Sequence, residues 1–375
     1  MSSIKTNATP ASAIHVLGTE PTRKRTVVDT ITDYLDTYMV FSEPAHAKLL
    51  ALWTLHTWTF GDSFPERPYT TPYIYLNSLE PGSGKTTLLN LLRPIALNTE
   101  KADNMTSATL FRLIERDHPT MLIDEVDALF TGTKATEEMR GVVNSGYKMG
   151  GYIWRNAPGK DGPEPRKFDT YSPKIMAGLD NGHLPETIAS RSIEIVLEKA
   201  GSVNAEGQLV APDGTTRETY YEFLADAAAE HVVREIQVFI AEWAARYTRY
   251  MPKPVPGMKP RQFELSFPLL QVARAAGCEA EAIEWIKAAF EHKPRRDTAE
   301  QALLRQIHLL FEESGAERMF GRDISGPLGI TGKKLAVELA KCGIKGGNDI
   351  SIKNQTGKGY YRSQFEAAWT EMGLS

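Results

Sequence analysis

The apolar run Tyr73-Ile74-Tyr75-Leu76 is followed by Leu79-Glu80-Pro81-Gly82-Ser83-Gly84-Lys85-Thr86-Thr87 and then by Leu88-Leu89-Asn90-Leu91-Leu92. That order predicts a strand, a glycine-rich loop and a helix. Gly82 and Gly84 let several backbone N–H groups converge on an anion with no Cβ in the way, and the helix N-terminus behind them adds partial positive charge. Lys85 is placed to reach the β- and γ-phosphates of a triphosphate, and the Thr86 hydroxyl to ligate Mg²⁺. Pro81, Ser83 and Thr87 complete the expected cradle. Measured against the pattern G-x-x-x-x-G-K-[ST], Leu79 stands where the first glycine is usual, a position that needs only a compatible turn. A chance glycine turn is the bland alternative, and the adjacent Lys-Thr with its flanking pattern argues against it. ATP with Mg²⁺ is the expected ligand pair.

A second apolar run, Met121-Leu122-Ile123, ends in Asp124-Glu125. A buried parallel strand delivers its terminal side chains to the carboxyl edge of the sheet, beside a phosphate loop. Asp124 there holds Mg²⁺, directly or through water, and Glu125 polarises the attacking water. Asp127 is a further acid in the same loop, read as structural. Lys174 to Leu179 reads as the next strand, ending at Asp180-Asn181, where a polar side chain can position water near the γ-phosphate. Leu184 to Ile195 then gives a short helix and an arginine, Arg191, at the start of a strand.

Between these elements, Gly150 to Arg155 and Arg166 to Tyr171 flank a Pro/Gly-rich tip and predict a hairpin spanning 151–171. Lys160 falls at its tip and Arg155, Arg166 and Lys167 on its arms. From the residues alone a solvated loop and a phosphate-contacting hairpin are equally open.

The rest of the chain sorts by pattern. Residues 1–24 are rich in Ser, Thr, Ala and Pro and read as a flexible arm. Residues 25–70 predict a helical collar, with Val27 to Tyr38 at helical period and a second helix from Ser42 through Trp58. His56 within it has no nearby ligand partner and is read as a packed histidine. The ATPase core is expected over 71–200, a helical lid over 201–293 and a smaller unit over 294–375. In the lid, Tyr221, Leu224, Ala228, Val232, Ile236, Phe239, Ile240 and Trp243 predict one buried face of a helix from about Glu218 to Tyr250. The last unit, helices followed by two strands, suggests a winged helix; from Arg318 onward it holds 9 Lys/Arg against 5 Asp/Glu. That local excess is compatible with phosphate contacts or with a protein partner.

Composition excludes little else. A net charge of −4 leaves no global basic field, so any nucleic-acid surface must be local. The two cysteines, Cys278 and Cys342, support neither a disulfide framework nor a zinc site. No apolar run approaches the ~18 residues of a spanning helix, so no membrane partner is expected and a reducing cytoplasm is the simplest setting.

Taken together the chain resembles an AAA+ ATPase, an α/β class with an αβα P-loop core, a parallel sheet, a helical lid and here a winged-helix-like C-terminal domain. More narrowly it resembles a family of P-loop ATPases of actinobacteria and their phages. The resemblance runs from about Leu49 to the end, through Pro81 to Thr87, Leu110-Phe111-Arg112, Leu122 to Asp127, Asn144-Ser145-Gly146, Arg191-Ser192-Ile193 and Lys358-Gly359-Tyr360. It implies a homo-oligomeric ring, expected as a hexamer, in which ATP lies between subunits. Arg191, preceded by Ser190, matches the arginine finger that reaches a neighbour's nucleotide. Asn181 fits the first sensor, with Asp180 as its competitor, and Arg261 is similar to the lid arginine of minichromosome maintenance helicases, a second sensor. In helicase-type relatives the hairpin before the first-sensor strand pushes on DNA with a basic tip, a role that falls here on Lys160. The implied activity is ATP-driven movement on single-stranded or forked DNA in replication of a phage or mobile element, with replication proteins as partners of the winged helix. The rival is a helicase loader, initiator or protein remodeller that does not unwind DNA.

Overall fold

The computed structural model describes residues 25–64, 67–78, 82–102, 105–126, 130, 134–159, 162–178, 184–246, 250–291, 299–346, 348–352, 355–372 and 374. Leu79, Pro81, Asp127, Lys160, Asp180 and Asn181 lie outside the described residues.

The chain enters through helix α1 (Val27–Tyr38), started by Thr26 and Asp29 in a reciprocal cap. Helix α2 (Ala45–Trp58) begins three residues later than the sequence suggests, with Pro44 as its N-cap. Nearly every residue of α2 is buried, so it is an internal helix rather than an amphipathic one. His56 is fully buried there, 3.0 Å from the Thr71 hydroxyl, and burial lowers its pKa to about 3.

Strand β1 (Tyr73–Asn77) leads to helix α3 (Lys85–Leu92), then β2 (Thr99–Ala102), α4 (Ser107–Asp117), β3 (Thr120–Ile123) and α5 (Lys134–Ser145). A two-stranded ribbon of β4 (Tyr152–Gly159) and β5 (Gly162–Asp169) interrupts the core before β6 (Lys174–Ala177), α6 (Glu186–Ala189) and β7 (Ser192–Val196). The central sheet is parallel, in the order β2-β3-β6-β1-β7. The order puts β1 between β6 and β7 and β3 one strand beyond β6, so the loops leaving β1, β3 and β6 meet at one carboxyl edge. β1, β3 and β6 are buried throughout, as expected for strands covered on both faces.

Two small strands, β8 (Leu209–Val210) and β9 (Thr216–Arg217), precede a 3₁₀ turn (Glu222–Leu224) and the long helix α7 (Ala225–Arg246). The helix expected from Glu218 therefore starts seven residues later. Ala229, Val232, Ile236 and Ile240 of α7 are buried, but Tyr221 and Leu224, expected on the same face, are exposed. The turn breaks the helical period ahead of Ala225, so these two residues leave the stripe. Helices α8 (Pro260–Ala276) and α9 (Glu279–Glu291) pack with α2 into the same core.

A second core, from Leu304 to Trp369, is built by α10 (Ala299–Ser314), β10 (Arg318–Phe320), α11 (Gly321–Ser325), α12 (Gly332–Lys341), β11 (Asn348–Ile352), β12 (Gln355–Tyr361) and α13 (Glu366–Glu371). Its antiparallel sheet runs β10-β12-β11, the order of a winged helix. Among the described residues no helix is long and apolar enough to cross a membrane.

Lys174, at the start of β6, is fully buried. Its ammonium donates to the Thr170 carbonyl at 3.0 Å, the Ser172 carbonyl at 3.0 Å and the Ser172 hydroxyl at 3.2 Å. Burial lowers its pKa to about 7, against a smaller upward pull from Asp169. In the unfolded chain the amine holds its proton to about pH 10.4. Between those values the unfolded state binds more protons, so stability rises with pH. Asp36, raised by burial to about 6, has already titrated. The thermal midpoint is expected to climb from pH 7 to pH 9 and Lys174→Met to flatten that climb; a variant that keeps the full slope would assign it elsewhere.

Candidate active site

The phosphate loop closes on α3. Gly82 and Gly84 have φ of 75° and 88°, the left-handed region that L side chains avoid, and Gly84 is the N-cap of α3. A Cβ on Gly84 would sit 3.0 Å from the Met39 methyl, because the segment after α1 folds over the loop. Nothing in the local sequence around Met39 announces that contact. Lys85 donates to the hydroxyl of Ser78, the residue after β1, and lies 3.4 Å from the Ser83 hydroxyl. Thr87 follows on the first turn of α3.

The two halves of the expected cation seat meet. The Thr86 hydroxyl donates to Asp124 Oδ2 at 2.8 Å, although the residues are 38 apart in sequence. Asp124 is buried at the end of β3, whereas Glu125 beside it is exposed. The other Asp124 oxygen, Oδ1, accepts from the Glu125 backbone N–H at 3.0 Å. Glu125 has φ 53°, one of three described non-glycine residues in the left-handed region. Such a conformation costs roughly 1–3 kcal/mol and persists where the surroundings impose it, commonly at active sites. The donor set fits Mg²⁺, a hard cation that takes one or two protein oxygens and completes its shell from phosphates and water. No cluster of three or more His, Cys, Asp or Glu suited to a metal occurs among the described residues.

Arg191 and Arg261 occupy the other edge of the sheet. Arg191 immediately precedes β7, whose first residue, Ser192, pairs with Tyr73, while the phosphate loop leaves beyond Asn77, paired with Val196. At about 3.3 Å per residue the five steps from Arg191 to Val196 amount to about 16 Å of strand. The Arg191 guanidinium donates to the Thr187 carbonyl and lies 5.8 Å from the Tyr147 ring centroid. Its Nε is buried without a hydrogen-bond partner among the described residues. Arg261 covers the same ring at 4.5 Å, donates through Nε to the Ser190 carbonyl at 2.8 Å and through Nη1 to the Tyr147 hydroxyl at 3.1 Å. Glu264, one turn on, accepts from Arg261 at 2.5 Å and from Lys148 at 2.7 Å. Burial alone would raise the Glu264 carboxyl, but these two bonds outweigh it and hold the group below its ordinary range. Tyr147 and Glu264 were not singled out in the sequence. The i, i+3 spacing of Arg261 and Glu264 was their one readable signal.

The two strands of the ribbon pair antiparallel from Tyr152 with Asp169 to Gly159 with Gly162, the last described residues of each arm. Its arms have unlike faces. Arg166 turns toward α4 and pairs with Glu115 at 2.9 Å, and Arg155 lies 5.9 Å from the Phe111 ring on the same side. Tyr152 and Trp154 project outward, exposed, with ring centroids 6.1 Å apart. Lys167 stands opposite Trp154, its ammonium 4.3 Å from the Tyr152 ring and 5.3 Å from the Trp154 ring. Of the three arm cations, only Lys167 belongs to the outward face. The exposed aromatic pair was legible as period-2 alternation, yet the sequence does not say which face stays open.

Sheet order, glycine loop and paired Thr86 and Asp124 define a P-loop α/β fold of the AAA+ type. No protein-family model matches the chain, and no curated protein sequence does. Solved structures of Thermotoga maritima RuvB are similar to it. The one titled a Holliday junction branch migration motor shares 13% identity over 91% of this chain and 99% of that chain, with a TM-score of 0.32. Two single-residue variants of that protein share 12% each, over 91% and 89% of this chain and 99% and 96% of theirs, with TM-scores of 0.33 and 0.31.

Proposed function

We propose that the chain hydrolyses ATP in a head-to-tail ring and uses the cycle to move on DNA. The observation that carries the ATPase is the 2.8 Å bond between Thr86 and Asp124 beneath a glycine loop with Lys85 at its mouth. Thr86 and Asp124 would hold Mg²⁺, which when bound would supply charge neutralisation to the phosphates. Gly82, Ser83, Gly84 and Thr87 cradle the phosphates together with Pro81, and Lys85 turns from Ser78 to the γ-phosphate. Glu125 accepts the proton of the attacking water. Asn181, or Asp180 beside it, orients that water at the end of β6.

Arg191 and Arg261 sit across the sheet from their own phosphate loop, so both serve the ATP of a neighbouring copy. Arg191 neutralises charge in the transition state and Arg261 senses the γ-phosphate. The contacts that hold them, Thr187, Ser190, Tyr147 and Glu264, keep two guanidinium groups at one exposed edge in advance. Pre-placed charge of this kind needs no rearrangement when the reaction occurs.

The hairpin supports the DNA reading. Exposed Tyr152 and Trp154 offer stacking faces for unpaired bases, and Lys167 beside them and Lys160 at the tip offer charge to the backbone. The same exposed rings favour a second reading, a protein remodeller or helicase loader that grips a polypeptide. Strand displacement on a forked duplex separates the two. Under the motor reading, Lys160→Ala and Trp154→Ala each spare basal ATP turnover and lower DNA-stimulated turnover and unwinding about tenfold or more, since one lost base–aromatic stack costs ~1–3 kcal/mol. Normal unwinding by both variants would remove the hairpin from the mechanism, and a parent enzyme inert to DNA would favour the remodeller.

A further inference from the structure

Helix α7 separates two surfaces that lie at its opposite ends. At its N-terminal end, the turn before it exposes Tyr221, Phe223 and Leu224, with Phe223 82% exposed and its ring 5.7 Å from that of Tyr221. Three exposed acids, Glu218, Glu222 and Asp226, surround this apolar tip, and no Lys or Arg occurs from 218 to 226. The tip lies on the phosphate-loop side of the subunit. The Glu218 N–H donates to the Thr37 carbonyl at 2.7 Å and the Tyr220 ring touches Tyr38, whose neighbour Met39 covers Gly84.

At the other end of α7, Trp243 packs on Phe64 with ring centroids 5.0 Å apart and lines a cavity of about 420 Å³. Phe263 and Phe267 of α8 form another wall, and Tyr69 and Met149, both exposed, stand in the lining. Glu264 lines it too and is bonded to Arg261, so the cavity adjoins the edge that carries Arg191. Among the described residues Arg67 and Glu264 line the cavity, and beside the lining stand Lys148 and Arg261, both paired with Glu264, and then Arg191, which shares the Tyr147 ring with Arg261. Against these cations the tip carries −3 from Glu218, Glu222 and Asp226. Phe223 and Trp243 are twenty residues apart along α7 and its leading turn, about 30 Å at 1.5 Å per residue.

We infer that the Tyr221–Leu224 tip of one copy docks in the Phe64–Trp243 cavity of the next copy, an acidic-rimmed apolar knob in a basic-rimmed aromatic socket. The contact is heterologous, two unlike surfaces on one molecule, and such contacts propagate head to tail until the rotation closes a ring. It brings the arginine edge of one subunit to the phosphate-loop side of its neighbour, the relation that Arg191 needs. The inference rests on the head-to-tail reading above and specifies the surface that makes it.

Full-length chains carrying Glu125→Gln, which retains ATP under the mechanism above, allow the test by mass measurement with ATP and Mg²⁺. The parent assembles beyond a dimer. Phe223→Asp removes the knob and Met149→Glu repels it at the socket, and each raises the concentration needed for assembly at least tenfold. Both residues are exposed, so folding is spared. Mixed together, the two variants retain one intact knob and one intact socket and stop at a two-chain species, which also shows that both are folded. If the parent assembles and Phe223→Asp assembles equally well, or if the mixture stays monomeric, the knob and socket are wrong while the ring stands. A parent that stays monomeric with ATP overturns the ring and this contact together.

Discussion

Glu125→Gln is expected to bind ATP as the parent chain does and to turn it over slower by a factor of about 10²–10⁴, the range for a lost general base. The geometry makes the two effects separable. Thr86 and Asp124, the proposed cation ligands, bond to each other at 2.8 Å, and the Glu125 carboxylate takes no part in that bond. Its backbone N–H does, donating to Asp124 at 3.0 Å, and an amide side chain leaves the backbone donor in place. Glutamine also keeps the size of the side chain at a position whose φ of 53° is already imposed by its surroundings. Only proton acceptance is removed. Nucleotide affinity by equilibrium binding and phosphate release under saturating ATP give the two numbers. Turnover within a few-fold of the parent would mean that another group activates the water.

Arg191→Ala is expected to lower turnover by about 10³ or more, the scale of an arginine supplied to a neighbour's phosphates. It should leave ATP binding to the isolated subunit unchanged, because Arg191 lies about 16 Å along the strand from its own phosphate loop. A mixture decides the matter. Arg191→Ala chains retain Glu125, and Glu125→Gln chains retain Arg191, so junctions between them hold one complete site. Activity should therefore reappear when two nearly inactive proteins are combined, and a mixture no more active than its parts would place the arginine in its own subunit's chemistry. The buried Nε of Arg191, with no hydrogen-bond partner among the described residues, is the kind of unmet donor that an incoming phosphate satisfies.

Most of the backbone elements around the candidate phosphate site were legible without coordinates. Gly82 and Gly84 announce left-handed backbone, Lys85-Thr86 begin a helix behind the glycine loop, and an apolar strand ending in Asp124-Glu125 delivers acids to a sheet edge. The α/β class and the winged-helix order of the last unit followed from the same kind of pattern. Each is a local rule in which a few consecutive residues fix backbone conformation or face.

The sequence by itself thus determined a phosphate loop, two acids at a strand end and the alternation of strands and helices around them. Tertiary structure decided what those elements meet. It paired Thr86 with Asp124 and laid Met39 over Gly84. It gathered Tyr147, Arg191, Arg261 and Glu264 at one edge, from four places separated by up to 117 positions. It buried Lys174 to the point of lowering its pKa to about 7, turned Arg166 to Glu115 while leaving Trp154 open, and exposed Phe223 at the head of a helix whose next turns are core. The reason is physical: periodicity states which residues share a face, whereas burial depends on whether another part of the chain covers that face, and that partner is remote in sequence.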